Sequence, residues 1–301
     1  MLQRYDERNA GIQYWVNGNL LHRDQPGLSP FDSVVQGGDA VWEGLRLYRG
    51  AIFGLTEHLA RLRRSALALG FTDIPSDDTI IAAITATLRA NEMVDGVHIR
   101  LTLTRGVKVT SGMDPRLNQA GPTLIVLAEH KPPVYDTGGL TLATSSIRRP
   151  SPDVLDPKIH HNNLINSILA KIEANAAGAD DALMLDQRGF VAETNATHLF
   201  AVIDGRLVTP TTAACPEGIT RQTVLDLAAR HDIPAVVRDV SLTEMYSSDE
   251  VFCTGTMGEI AAVTTIDGRR IGDGSVGPLT ARVAKIYQEH AAANGVRLLD
   301  A

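Results

Sequence analysis

The stretch DPKIHHNNLINSILAKIEANAAGADDALMLDQRGFVAE, residues 156–193, decides how the rest of the chain is read. Lys158 follows Pro157 on a loop. Leu164, Ile165, Ile168, Leu169 and Ile172 then recur at the spacing of a helix, and Gly178 ends it. Ala182–Leu185 reads as a strand, Gln187, Arg188 and Gly189 as a tight turn, and a second strand carries Glu193. One amine thus stands just before a helix, and one carboxylate sits on a strand able to fold back beside it. A Schiff-base cofactor needs such a pair: the lysine makes the covalent link and the acid keeps a pyridine nitrogen protonated. Taken singly, a lysine before a helix is more often a solvated surface group, so the remainder of the chain has to decide.

The chain has 301 residues, 44% hydrophobic and 21% charged, which is the composition of a soluble globular protein of one large or two ordinary domains. Its net charge of −7 speaks against a nucleic-acid footprint. Two cysteines, Cys215 and Cys253, cannot build a disulfide framework and fit a reducing compartment. The N-terminus is polar, with no signal-type apolar run, and the longest apolar window, Ile80–Leu88, is too short to span a bilayer. The expectation is a cytoplasmic protein with no membrane or nucleic-acid partner.

Hairpins are expected across Asn17-Gly18, Arg49-Gly50, Asp204-Gly205 and Asp267-Gly268. Thr56 reads as the N-cap of a helix stopped by Gly70, and Ser76 as the cap of another running to about Asn91. Val97–Arg105 and Thr123–Glu129 read as strands. Lys131-Pro132-Pro133 and Gly138-Gly139 break both helix and strand. This predicts a small N-terminal domain over 1–131, a linker over 132–139 and a larger domain over 140–301. Strand Leu140–Ile147 opens the second domain, Ser241 with Glu244 forms a capping box, and Leu279–Ala293 is the closing helix. Both halves are α/β (α+β mixed), antiparallel-rich sheets flanked by helices. No G-x-G-x-x-G dinucleotide fingerprint follows a strand.

Anion-binding candidates come next. Gly218-Ile219-Thr220 opens a helix, where free backbone N–H groups and a hydroxyl can cradle a phosphate. Thr254-Gly255-Thr256 follows a strand and offers more donors. Arg61, on the Thr56 helix, can add a bidentate positive charge. His160 and His161 are adjacent, point apart on a regular element and have no acidic or cysteine ligand at helical spacing, so no metal site is read there. They are read as loop residues lining the site of Lys158 or as polar residues at the helix N-terminus. No G-x-S-x-G elbow is present.

In this order the pieces resemble the class IV, fold type IV, pyridoxal-phosphate aminotransferases. The motifs that carry the resemblance are the loop lysine, the strand glutamate in VAETNAT, PEGITR, CTGTMGEI, and VWEGLR followed by EHLARL. The resemblance runs from Trp15 to about Gly268. It implies that Lys158 is the Schiff-base lysine and that Glu193 pairs with the pyridinium nitrogen. It implies that Arg61, Ile219, Thr220 and Thr256 hold the phosphate of pyridoxal 5′-phosphate. It further implies two domains with the cofactor between them, a homodimer, and ping-pong transfer in which the freed lysine moves the substrate Cα proton. Lys171, inside the helix, is read as structural.

Substrate contacts are implied for Trp42, in a motif close to the VFEGIR of branched-chain enzymes, and for Arg100, in a strand similar to their Tyr-Ile-Arg. Gly37 and Met257 are placed beside them. Gly37 and Leu164 fall where branched-chain enzymes carry tyrosines, which opens the choice of donor. The expectation is a branched-chain L-amino acid with 2-oxoglutarate. The alternatives are a D-amino acid or (R)-amine transaminase, an aminodeoxychorismate-type lyase, and a module that keeps the fold without the cofactor.

Overall fold

Four dipeptides set the hairpins. Asn17-Gly18, Arg49-Gly50, Asp204-Gly205 and Asp267-Gly268 all have positive φ at both residues, as a type I′ turn requires. In the computed structural model, which describes residues 5–132, 135 and 138–300, the first half runs β1 (Gln13–Val16), β2 (Asn19–His22), α1 (Ser33–Gly37), β3 (Ala40–Tyr48), β4 (Ala51–Phe53), α2 (Leu55–Ala68), α3 (Asp77–Ala90), β5 (Val97–Thr104) and β6 (Thr123–His130). There follow β7 (Leu140–Thr144), α4 (Pro152–Leu155), α5 (Ile165–Ala176), β8 (Asp181–Leu185), β9 (Val191–Thr194), β10 (His198–Ile203), β11 (Arg206–Thr209), α6 (Ile219–Arg230) and β12 (Ala235–Val237). The chain closes with α7 (Leu242–Tyr246), β13 (Glu250–Gly255), β14 (Glu259–Ile266), β15 (Arg269–Arg270), α8 (Pro278–Ala293) and β16 (Gly295–Arg297).

Two compact units emerge. Taken over the described residues, the N-terminal unit comprises residues 5–132, 159–163 and 294–300, and the second unit residues 135, 138–158 and 164–293. The division differs from the expected 140–301 domain at two places. Residues 159–163 lie along β3, and β16 adds to the edge of the first sheet through β4. Of the expected linker, residues 133, 134, 136 and 137 lie outside the described residues.

The N-terminal unit is one antiparallel sheet, ordered β16-β4-β3-β5-β6-β1-β2. Alternation along β3 and β5 sends Leu45, Leu47, Ile99 and Leu101 to one face, where Leu59 and Leu62 of α2 and Ile80, Ile84 and Leu88 of α3 cover them. Each such side chain contributes roughly 1.5–3 kcal/mol by leaving water. The other face carries Trp42, Gly44, Arg46, His98 and Arg100. Helix α2 starts two residues earlier than a cap at Thr56 suggested. Gly54 caps it in the left-handed region at φ 66°, and Thr56 lies in its first turn.

The second unit holds a sheet ordered β12-β11-β10-β13-β14-β7-β8-β9, with β15 on β14. It is mixed: β11–β12, β7–β8 and β7–β14 pair in parallel. Helix α5 docks through small residues. Its Ala170 and Ala174 are buried against Ala182 and Met184 of β8. The stripe that marked the helix in sequence therefore faces outward: Ile165, Ile168, Leu169 and Ile172 are 60%, 49%, 45% and 57% exposed. Among the described residues, no helix is long and apolar enough to cross a membrane.

Candidate active site

Lys158 lies in a turn after α4, and residues 159–164 separate it from α5, so it does not stand directly at a helix start. Its backbone N–H donates to Asp156 Oδ1 at 2.9 Å. Its side chain is 44% exposed, and the amine meets Glu217 Oε1 at 3.2 Å and Thr212 Oγ1 at 3.4 Å. An ion pair this open holds the amine only loosely.

Glu193, on β9, is its opposite in setting. It is 6% exposed, and Arg149 reaches its Oε1 at 2.7 Å. Arg149 also donates to Ala214 O at 3.3 Å and to Ser167 Oγ at 3.2 Å. His198, the first residue of β10, places Nδ1 4.0 Å from Glu193 Oε2 and 3.7 Å from Cys215 Sγ. Burial foremost, with Glu193 adding to it, pushes the Cys215 thiol far above its ordinary range. A thiol held protonated is a poor nucleophile. The ligand atoms of Glu193, His198 and Cys215 lie within 4.8 Å of one another.

The segment 211–220 ties these groups together. It meets Lys158 through Thr212 and Glu217, Arg149 through Ala214, and His198 through Cys215. It then starts α6 at Ile219, with Gly218 as an N-cap that offers no side chain. A Cβ on Gly218 would fall 2.3 Å from His198 Cδ2. Glycine is thus required by close approach, and the first turn of α6 keeps its donors uncapped by any side chain. Ile219 and Thr220 occupy that turn, with Thr220 buried. Thr256 and Met257 lie in the turn after β13, whose Thr254 pairs in register with His198.

The remaining expected residues belong to the N-terminal unit. Arg100 stacks its guanidinium 3.8 Å from the Trp42 ring centre and donates to Asn162 Oδ1 at 2.6 Å. Burial lowers its pKa to about 10. Gly44 stands opposite Arg100 in register, and a Cβ there would meet His98 Nε2 and Trp42 Cζ3 at 3.5 Å. Gly37 ends α1, and a Cβ there would meet nothing within 4 Å.

Arg61 sits on the core face and grips Glu43. Its Nε donates to Oε1 at 2.8 Å and its Nη2 to Oε2 at 2.6 Å. His58 Nδ1 donates to the same Oε2 at 2.6 Å. His160 donates from Nδ1 to Trp42 O at 2.6 Å and stacks on the Trp42 ring. That nitrogen is also 3.4 Å from Glu43 Oε1. Burial alone would raise the Glu43 carboxyl, but His160 and Arg61 outweigh it and hold it well below its ordinary range. Burial foremost, then Arg61, lower His160 in turn, with Glu43 opposing them. Val41 bridges His161, and Asn162 N donates to Ala40 O at 2.8 Å, which lays 159–163 along the edge of β3.

Sequence reading missed Arg149 and Glu43. Arg149 has no local signature. Glu43 had one: it stands in the register of Val41, Leu45 and Leu47, where a carboxylate needs buried partners.

The amino-transferase class IV family profile matches residues 40–266. Branched-chain-amino-acid aminotransferase-like protein 2 of Arabidopsis thaliana is 54% identical over 96% of this chain. That alignment takes in 52% of the relative, so the chain spans about half the length of such a protein. The branched-chain-amino-acid aminotransferase of Pseudomonas aeruginosa is 34% identical over 91% of both chains. Among solved structures, the branched-chain amino acid aminotransferase from Thermobaculum terrenum in its PLP form superimposes with a TM-score of 0.84 at 29% identity, covering 96% of this chain and 97% of that one. The fold is that of these enzymes, and by its sequence match the chain belongs to the class IV amino-transferases.

Proposed function

We propose that the protein is a pyridoxal 5′-phosphate-dependent aminotransferase. It moves an amino group between a branched-chain L-amino acid and a 2-oxo acid such as 2-oxoglutarate. One observation carries this reading: segment 211–220 joins an open amine, a buried carboxylate and a bare helix start within one unit. The fit to the cofactor rests on the start of α6, where the N-cap Gly218 makes no side-chain hydrogen bond and the first-turn N–H groups stay uncapped by a side chain. A phosphate is favoured there by free N–H groups and the helix dipole.

When bound, the cofactor supplies an aldehyde that joins amines covalently and a ring that draws off the electrons released at a substrate Cα. Lys158 Nζ would hold the aldehyde carbon covalently and, when free, would take the proton from a substrate Cα. The Glu193 carboxylate receives the ring N–H, with Arg149 holding it in place. Ile219 N–H and the Thr220, Thr256 and Arg61 donors receive the phosphate. Arg100 binds the substrate carboxylate, with Trp42, Gly37 and Met257 beside the substrate. Donor and acceptor use the same groups in turn, which gives ping-pong kinetics.

The outward stripe of α5 supports a homodimer, because four large apolar side chains on one helix face ask for a partner surface. Two buried free thiols support a reducing, cytoplasmic setting.

The test is a visible spectrum after incubation with the cofactor, then with L-leucine, D-alanine or (R)-1-phenylethylamine. A visible band absent from Lys158→Ala and bleached by L-leucine alone supports the proposal. Bleaching only by D-alanine or the amine would move the assignment to a D-amino acid or (R)-amine transaminase. Pyruvate release without any acceptor would indicate the lyase. No band at all would refute the cofactor assignment.

A further inference from the structure

Glu43 is a carboxylate set among leucines. It is 0% exposed and lies on the core face of β3, where an unpaired charge would be prohibitive. It is satisfied by the fork of Arg61 and by His58, with His160 beside it. Both elements that surround it are packed: β3 lies inside the sheet, and α2 buries its Leu59 and Leu62 in the core. No step described above gives this acid a part of its own.

A planar guanidinium held through Nε and Nη2 loses rotation about its last bonds, so its remaining edge points in one fixed direction. His58 holds Oε2, the same oxygen that Arg61 Nη2 meets, and so restrains the carboxylate further. His160 and the main chain of 160–162 close off the edge of β3 next to it.

We propose that Glu43 is a positioning residue for the cofactor: it fixes the direction in which Arg61 presents its guanidinium to the phosphate. This rests on the reading that Arg61 meets that phosphate. The arrangement sets the charge before the cofactor arrives, so binding spends little on ordering a long side chain. Glutamine at this place keeps the shape but gives Arg61 one oxygen instead of two and no charge.

The experiment compares pyridoxal 5′-phosphate with pyridoxal, which has no phosphate, by titrating each into the full chain and following cofactor absorbance. Glu43→Gln should weaken the phosphorylated form by roughly ten- to a hundredfold, the usual effect of removing an orienting partner behind a ligating side chain. Pyridoxal should change by less than about threefold, a difference too small to represent a lost charge-assisted contact. Arg61→Gln should show the same selectivity. If Glu43→Gln affects both compounds equally, or neither, while Arg61→Gln remains selective, Glu43 is not a positioning residue. If Arg61→Gln itself is not selective, the phosphate reading beneath the proposal fails. Should Glu43→Gln not fold, Glu43→Asp withdraws the charge by one methylene and is read by the same two titrations.

Discussion

Arg149 reaches Glu193 at 2.7 Å, and both side chains are nearly closed to solvent. The same guanidinium holds the carbonyl of Ala214 and the hydroxyl of Ser167, so one side chain joins β9, the 211–220 segment and α5. Arg149→Met would leave the Glu193 charge buried without its cation. The expected loss is about 3–5 kcal/mol in a urea unfolding curve. Arg149→Lys should restore little of it, because a single ammonium cannot span three acceptors on different elements. A melting curve for Arg149→Met that overlays the parent would show that the pair does not hold these elements together.

Gly218 gives a sharper test, since its neighbour is known. The Cβ of alanine would lie 2.3 Å from Cδ2 and 2.4 Å from Nε2 of His198, a ring that is itself 8% exposed and has little room to retreat. Gly218→Ala should cost about 1–3 kcal/mol of stability through overpacking. Cofactor affinity should fall with it, because the start of α6 must shift. Adding His198→Ser removes the obstacle, and the double variant should recover most of the stability. Failure of the second substitution to rescue the first would place the strain elsewhere.

The apolar stripe of α5 is testable by size. Ile168 and Ile172 are 49% and 57% exposed on a helix that docks through alanines on its other side. Ile168→Glu should leave the fold intact, as judged by circular dichroism, and shift the protein from dimer to monomer in sedimentation. A parent that already sediments as a monomer would remove the dimer from the proposed function.

That helix also shows what sequence can convey. Its periodicity revealed a face, but a face is only a pattern, and the body that covers it is not written locally. The hairpins were legible because each turn is built from residues that tolerate positive φ, so the signal and the structure lie in the same two positions. Strand β16 was not, because its partner β4 lies at the far end of the chain and three residues carry no pattern of their own. The parallel pairings of β7 escaped for the same reason. Lys158, Glu193 and the start of α6 stood out by residue type and order. Arg149, which binds to the second of these, is one arginine among many until the fold brings it there.

His98 carries the last expectation, and it concerns pH. It lies on the polar face of β5, between Arg46 of β3 and Glu129 of β6 in register. Neither ring nitrogen finds a hydrogen-bond partner among the described residues. Burial foremost, then the charges of Lys131, Arg100 and Arg46, lower its pKa from 6.5 to about 3. The unfolded chain therefore takes up a proton as pH falls through 6.5, while the folded chain stays neutral until about 3. Across that window the unfolded state binds more protons, so stability rises with pH and is lost on acidification. His98→Gln removes the proton from both states. Measured by urea unfolding, the parent should lose about 2 kcal/mol more than the variant between pH 7 and pH 5. Parallel stability curves over that range would mean that His98 keeps an ordinary pKa in the folded protein and that the cations around it are screened from the ring.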